Sequence, residues 1–411
     1  MKPMRNALLV AVFVPVFLAA FIVSLGSGAA AEGFRTTVGT GADTIPLVVV
    51  RGTPYEMGRA LGEQMKTEIN ELYGIMGTGM QLLDDERYTP ENLDAAWSAL
   101  EVHTDPRFVD ELRGLAEGAG IPEQEVFRIH AFPAVSDYSC SAIATWGQAT
   151  ANGHLYQTRA LDWIMEGGFQ NYPLIVVYIP DQGIPHVNVT FAGFIGANTG
   201  MNAAGITLSE IGDSPKKDYP FNLNGEHFTS MFRKVLYDAH TLDEAVSIIQ
   251  RSRRIKKYYF VVGSGDEKRA VKMKAHAPDL IIWNDNDPSD PSAPNVKPDL
   301  VYHAESRDPL AWGHIQEHYG SYDPGLMMDL IRAVPIKGAN LLDVLYDTTS
   351  RELWVAYAEG QEEAYKRPFV HIRLDDYVGG SSMAGGKLTS IAIIAAPLLI
   401  LAIGVAVVML R

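Results

Sequence analysis

Tyr138-Ser139-Cys140-Ser141-Ala142-Ile143-Ala144-Thr145-Trp146, a turn at Asn152-Gly153, and the return His154-Leu155-Tyr156-Gln157-Thr158-Arg159-Ala160-Leu161-Asp162 decide the fold. Cys140–Trp146 is small and apolar, as a buried strand requires. Asn-Gly is a strong signal for a tight turn between two strands. The segment is therefore predicted to be a β-hairpin that returns Arg159 and Asp162 beside Cys140.

Cys140 is the only cysteine in the 411 residues, so it forms no internal disulfide. Alone, such a cysteine most often packs as a small hydrophobe. Its company favours chemistry instead. A neighbouring cation stabilises a thiolate, and a neighbouring carboxylate orients that cation or holds an amine.

Before the hairpin the chain reads as mainly helical from Pro54 to His130. Thr53-Pro54-Tyr55-Glu56 is a capping box with proline at the first helical position. Met57, Leu61, Met65, Ile69 and Leu72 follow as one apolar stripe. Asp105-Pro106 opens a second helix, with Phe108, Val109, Leu112 and Leu115 inward, and Ile121-Pro122 a third. After Cys140, strands outnumber helices and the two are mixed, an α+β pattern. Strands are expected at 174–179, 186–191, 206–209, 258–263, 270–274, 352–358 and 369–374. Helices are expected at 228–250, with a second capping box at Thr241 and Glu244, and at 327–333. Asp279–Asp299, rich in Asp, Asn and Pro, reads as a surface loop.

The two ends differ from the middle. Lys2 and Arg5 precede an uncharged run at 7–25 and the small residues Ala29-Ala30-Ala31, the order of a secretory signal. The run is long, which leaves an uncleaved anchor open. Residues 379–390 resemble a linker, and 391–410 form an uncharged stretch of the length that spans a bilayer, closed by Arg411. With basic residues at both ends held inside, 32–378 is expected outside the cytoplasm, at the cell membrane. The net charge of −15 argues against a nucleic-acid partner.

The run Cys140-Ser141-Ala142-Ile143-Ala144, Ala149–Gly153 and Arg159-Ala160-Leu161-Asp162-Trp163 resembles the nucleophile region of the isopenicillin-N acyltransferase-like cysteine hydrolases. These are relatives of choloylglycine hydrolase and penicillin V acylase. Arg51–Gly58 with Gly62, Gly200-Met201-Asn202 with Gly205, the helix 241–249, and Tyr346-Asp347 leading to Leu353–Ala356 resemble further motifs of that family in the same order. The resemblance covers roughly 45–374.

It implies an N-terminal-nucleophile αββα sandwich; with the readings above, the expected organisation is an N-terminal helical segment at 32–139, a hydrolase domain at 140–378 and, from the apolar stretch 391–410, a C-terminal transmembrane helix. It also implies self-cleavage between Ser139 and Cys140. The freed α-amine, with an ordinary pKa of about 7.7–8.0, would take the thiol proton. Arg159 would stabilise the thiolate, Asp162 would hold the amine and the arginine, and Asn202 is a candidate oxyanion donor, although an asparagine in a Gly-flanked turn is as often structural. Ser139 stands where Gly or Asp is expected. Val301-Tyr302-His303-Ala304 lacks the oxyanion asparagine of the family's later element, so that role is not carried over.

No metal or organic cofactor is implied. Asn284–Asp287 with Asp290 lacks calcium-loop spacing. His314 and His318, one helical turn apart, lack a third ligand. The expected partners are a small-molecule acyl amide and membrane lipid. An ester hydrolase of phospholipase type and an inactive binding scaffold of the same fold are the alternatives.

Overall fold

The computed structural model describes residues 32–379, apart from 42, 83–84, 213–217 and 292–295. The signal-like residues 1–31 and the apolar stretch 391–410 lie outside the described residues. Among the described residues no helix is long and apolar enough to cross a membrane.

Two sheets form the centre. The larger runs in the order β1 (Glu32–Val38), β2 (Ile45–Gly52), β5 (Pro173–Pro180), β6 (His186–Phe191), β7 (Thr199–Asn202), β8 (Ile206–Gly212), β9 (Lys257–Ser264), β10 (Arg269–His276), β11 (Asp279–Trp283). The smaller runs β12 (Leu300–His303), β3 (Ser139–Thr145), β4 (Tyr156–Asp162), β13 (Asn340–Asp347), β14 (Glu352–Tyr357), β15 (Val370–Arg373). Neighbours are antiparallel except β2 and β5, which run parallel.

Period-two alternation sorts the side chains into layers. On β3, Cys140, Ala142 and Ala144 join the central core with Val176, Val189 and Val261 of the larger sheet. Ile143 faces the other way, into a core shared with α9 (Pro324–Ala333) through Leu330 and Ile331 and with Ala311 and Ile315 of α8 (Asp308–His318). Leu208, Phe260 and Val262 of the larger sheet pack on Phe232 and Leu236 of α6 (Phe228–Asp238) and Leu242 and Ile249 of α7 (Leu242–Arg251). The layers are therefore helix, sheet, sheet, helix, a mixed α/β fold. Between the sheets, Gln157 Nε2 donates to Ser209 Oγ at 2.9 Å and to Val261 O at 3.1 Å.

The segment before Cys140 contains more than helices. β1 and β2 are strands of the larger sheet, and β2 sits between β1 and β5. The reading of 32–139 as a helical segment is corrected to that extent: Leu47–Val50 is an unbroken buried apolar run, which suits a central strand. Five helices follow: α1 (Pro54–Gln64), α2 (Lys66–Leu82), α3 (Pro90–Glu101), α4 (Pro106–Ala119) and α5 (Glu123–Val135). The capping box at Thr53 and Glu56 is formed.

The glycines of the N-terminal motif have a packing purpose. A Cβ at Gly58 would stand 2.0 Å from Glu111 O, and one at Gly114 would stand 2.0 Å from Tyr55 O. Helices α1 and α4 thus cross with their backbones touching. The expectation of a loop over Asp279–Asp299 is corrected too. Leu280 and Ile282 pack on the sheet as β11 pairs with β10, and the polar turn begins only at Asn284.

Candidate active site

The hairpin sets the first two residues. Cys140 lies opposite Leu161 and Ser139 opposite Asp162. Arg159, two residues before Leu161, is then on the same face as Cys140 and diagonal to it. Arg159 Nη2 reaches Cys140 Sγ at 3.2 Å, with both side chains wholly buried. The guanidinium also stands 3.5 Å from Glu210 Oε2 on β8, so the larger sheet supplies a carboxyl partner. Burial pushes the thiol well above its ordinary value, while the Arg159 charge pulls it back. Burial likewise raises the Glu210 carboxyl to about 8 against the pull of Arg159. Burial therefore favours the thiol form of Cys140, with the Arg159 cation beside it.

Asp162 closes the other side of the strand end. Its Oδ2 stands 3.2 Å from Arg307 Nη2, and its Oδ1 accepts from Asn340 Nδ2 at 3.2 Å. It is not the partner of Arg159, as the sequence suggested; Glu210 takes that place. Burial raises Asp162 to about 6, and Arg307 is the strongest opposing influence. Arg307 also donates to Cys140 O at 2.9 Å. Glu305, in the same turn, accepts from Ser139 Oγ at 2.7 Å.

Arg307, Glu305 and Glu210 were not singled out from the sequence. The first two follow the Val301–Ala304 segment noted for lacking its asparagine. That departure was the available signal. Nothing local marks Glu210, which comes from the facing sheet.

Asn202 does not join this group. Its Nδ2 donates to Leu236 O at 3.2 Å and Ala239 O at 2.8 Å, and its Oδ1 accepts from Ile206 N at 2.9 Å. Both amide protons are spent on backbone carbonyls, so the oxyanion expectation is corrected: Asn202 fastens the β7–β8 turn to the end of α6. His303 stacks on the Tyr259 ring, centroids 4.0 Å apart, and stands 3.6 Å from Asp308. His314 and His318 pack against each other and Tyr322 on α8. Asp290 forms an ion pair with Lys272. Among the described residues no group of three or more His, Cys, Asp or Glu side chains is arranged to hold a metal.

Two cavities flank the hairpin. One is apolar and aromatic, lined by Phe132, Tyr138, Leu161, Trp163, Phe169 and Phe194, with others. The second is a polar cleft that includes Ser139, Asp162, Glu166 and Glu305. Tyr138 and Trp163 line both. The residue paired with Cys140 thus walls the apolar cavity, and the residue preceding it walls the polar one. Cys140 itself is wholly buried and lines neither cavity; its strand neighbours Leu161 and Ser139 do.

No family model matches the chain. It is 28% identical over 359 residues to protein dcd1B of Dictyostelium discoideum, covering 80% of this chain and 71% of that protein. It is 23% identical over 242 residues to the N-acylethanolamine-hydrolyzing acid amidase of Mus musculus, covering 57% of this chain and 59% of the relative. Among solved structures, the Caenorhabditis elegans ortholog of that amidase aligns with a TM-score of 0.41 at 15% identity, over 56% of this chain and 98% of its own. Penicillin V acylase from Agrobacterium tumefaciens aligns with a TM-score of 0.37 at 12% identity, over 53% of this chain and 83% of its own. These relationships are distant, and membership of the isopenicillin-N acyltransferase-like family does not follow from them.

Proposed function

We propose that this chain is an N-terminal-nucleophile amide hydrolase or acyltransferase that works through a thioester on Cys140 after the Ser139–Cys140 bond is cut. The contact of Cys140 Sγ with Arg159 Nη2 at 3.2 Å carries the reading. A buried thiol raised well above its ordinary value needs a base before it can attack. Cutting the bond before Cys140 creates that base on the same residue, because a neutral α-amine is available near pH 7.

The steps then balance. The amine takes the thiol proton, and the thiolate, steadied by Arg159, attacks the amide carbonyl carbon. The C–N bond breaks, and the proton held by the α-ammonium passes to the departing amine. Water, deprotonated by the α-amine, attacks the thioester and releases the acid with the thiol restored; an amine or other acceptor in place of water gives acyl transfer.

The aromatic cavity walled by Leu161 suits an acyl chain, and the polar cleft at Ser139 suits the amine portion. The name of the mouse relative lends weight to an amide substrate with an acyl chain. The signal-like N-terminus and the stretch at 391–410 support an extracytoplasmic, membrane-anchored location, which a membrane-impermeant label applied to intact cells tests.

Two measurements test the activity. Intact mass of the active protein should show a fragment beginning at Cys140. Hydrolysis of N-acyl amides of increasing chain length, beside the matching esters, should favour amides and vanish in Cys140→Ala. Ester turnover alone would replace the amidase reading, and an uncut, inactive wild type would leave a binding scaffold.

A further inference from the structure

We propose that Glu305 handles the nitrogen of Cys140: it gives that nitrogen a proton as the Ser139–Cys140 bond breaks, and then holds the new α-amine beside the thiol. This rests on the reading that Cys140 becomes a chain terminus. Asp162, expected from the resemblance to hold the amine, stands 3.2 Å from Arg307 through Oδ2 and accepts from Asn340 through Oδ1, and no hydrogen bond links its carboxylate to the Cys140 backbone among the described residues. Glu305 instead touches both sides of the bond. Ser139 Oγ donates to Glu305 Oε2 at 2.7 Å, and the Cys140 backbone N–H lies near enough to draw the Glu305 carboxyl down.

The backbone supports a dedicated position. Glu305 has φ +55°, in the left-handed region that a residue with a β-carbon seldom adopts. Such a conformation persists where its surroundings over-determine it, and it concentrates at functional sites. Here the surroundings are firm. His303, two residues earlier, is paired with Ala142 on β3, and Ala304 N donates to Asp308 Oδ1 at 2.6 Å. The turn therefore delivers the carboxylate to the scissile bond from the strand beside it.

The charges around this point are Arg159 and Asp162 on β4, Glu210 on β8, His303 on β12 and Arg307 in the turn itself, with Asp137 and Glu166 lining the same cleft. Burial raises the Glu305 carboxyl, and Ser139, Arg307, His303 and the Cys140 N–H draw it back. Its place beside the bond, in hydrogen-bond contact with Ser139 Oγ, is where a departing amide nitrogen would meet a proton donor.

The step is balanced as follows. Cys140 Sγ bonds to the Ser139 carbonyl carbon and its proton passes to water. The C–N bond breaks, the Glu305 proton goes to nitrogen, and a primary amine and a Glu305 carboxylate remain. Water then hydrolyses the thioester to the Ser139 acid and the free thiol. Afterwards the carboxylate lies beside a cation and raises its pKa. Since the amine acts when neutral, the acid limb of kcat/KM reports this contact.

Wild type, Glu305→Gln and Glu305→Asp are compared by intact mass over time and by kcat/KM against pH. Glu305→Gln should slow processing at least ~10-fold, the scale of general acid–base catalysis being about 100-fold or more. Its matured fraction should have an acid limb shifted to lower pH by about one unit. A merely structural role moves neither the limb nor its direction. Wild-type processing rate and an unmoved limb in Glu305→Gln overturn the proposal. If the melting curve shows Glu305→Gln unfolded, Glu305→Asp decides: an intermediate rate supports the role, and a wild-type rate overturns it. Failure of the underlying reading is separate, because the wild type itself would then show no Cys140 terminus, whether active or inactive.

Discussion

Arg307 donates to the carbonyl oxygen of Cys140 at 2.9 Å, and the same Nη2 stands 3.2 Å from Asp162 Oδ2. One guanidinium therefore pins the backbone of the candidate nucleophile to the strand that carries Arg159. Arg307→Ala removes a charge-assisted hydrogen bond worth about 1.5–3 kcal/mol and leaves the Asp162 carboxylate without its cation. Processing and turnover should both fall at least ~10-fold, the rate equivalent of about 1.4 kcal/mol. Arg307→Lys, which keeps the charge but loses the fork, should recover part of the loss. Unchanged processing by intact mass, with the variant folded, would reduce Arg307 to a bystander.

The Arg307 contact also marks how far the sequence could be read. Arg307 and Cys140 are 167 positions apart, and no periodicity records which strand lies beside which. The Cys140–Arg159 pair was legible in kind because both residues sit on one hairpin, but the strands are joined by the longer segment 146–155 with a 3-10 turn in it, so the expected tight turn at Asn152-Gly153 does not set the register. The fastening role of Asn202 was legible only as one of two readings of a Gly-flanked turn, and its hydrogen bonds decide it. The layered order of the fold was expected from the family resemblance alone. β1 and β2 escaped because an apolar run before a well-capped helix says nothing about which sheet will receive it. Glu210 escaped because face-to-face packing of two sheets is a long-range property of the whole chain.

Glu210 gives a pH prediction whose sign follows from burial. Its folded-state carboxyl is raised to about 8, above the ordinary 4.5 of the unfolded chain. Between those values the folded state binds more protons than the unfolded state, so stability falls as pH rises. The contribution is complete below about 4.5 and lost through about 8. Asp162, raised to about 6 from 3.8, adds a fall in the same direction at lower pH. The urea midpoint of wild type should therefore decline from pH 5 to pH 8, and Glu210→Gln should decline less. Parallel profiles for the two proteins would show that Glu210 does not titrate in this window.

The helix crossing makes a prediction independent of chemistry. A methyl group at Gly114 would meet Tyr55 O at 2.0 Å, whereas one at Gly77 on α2 meets nothing within 4 Å. Gly114→Ala should cost ~1–3 kcal/mol or more, the scale of overpacking. Gly77→Ala should gain about 0.5–1 kcal/mol, the helix preference for alanine. Denaturant titration checks both. Equal effects would mean that α1 and α4 are not in backbone contact, and with that the packing account of the Arg51–Gly62 motif would fall.

Cys140 provides the most direct test of mechanism. Self-cleavage needs a side-chain nucleophile to attack the Ser139 carbonyl; a methyl group cannot do so, and a hydroxyl is a much weaker nucleophile near neutral pH. Cys140→Ala should therefore remain a full-length chain with no turnover. Cys140→Ser should process slowly and lose turnover by orders of magnitude. Alkylation adds a reading on the wild type. The thiol is wholly buried and raised by that burial in the uncut chain, so iodoacetamide should label the precursor slowly. After cutting, the adjacent amine can take the proton and the polar cleft at Ser139 can open to solvent, so the mature form should label faster and lose activity in step with labelling. A packed structural cysteine predicts the reverse: slow labelling in every form, and a loss of stability but not of activity in Cys140→Ala. Since Sγ contributes to the central core, some loss of stability is expected either way, and activity per folded molecule is the quantity that decides. Near wild-type turnover in Cys140→Ala would end the thioester reading.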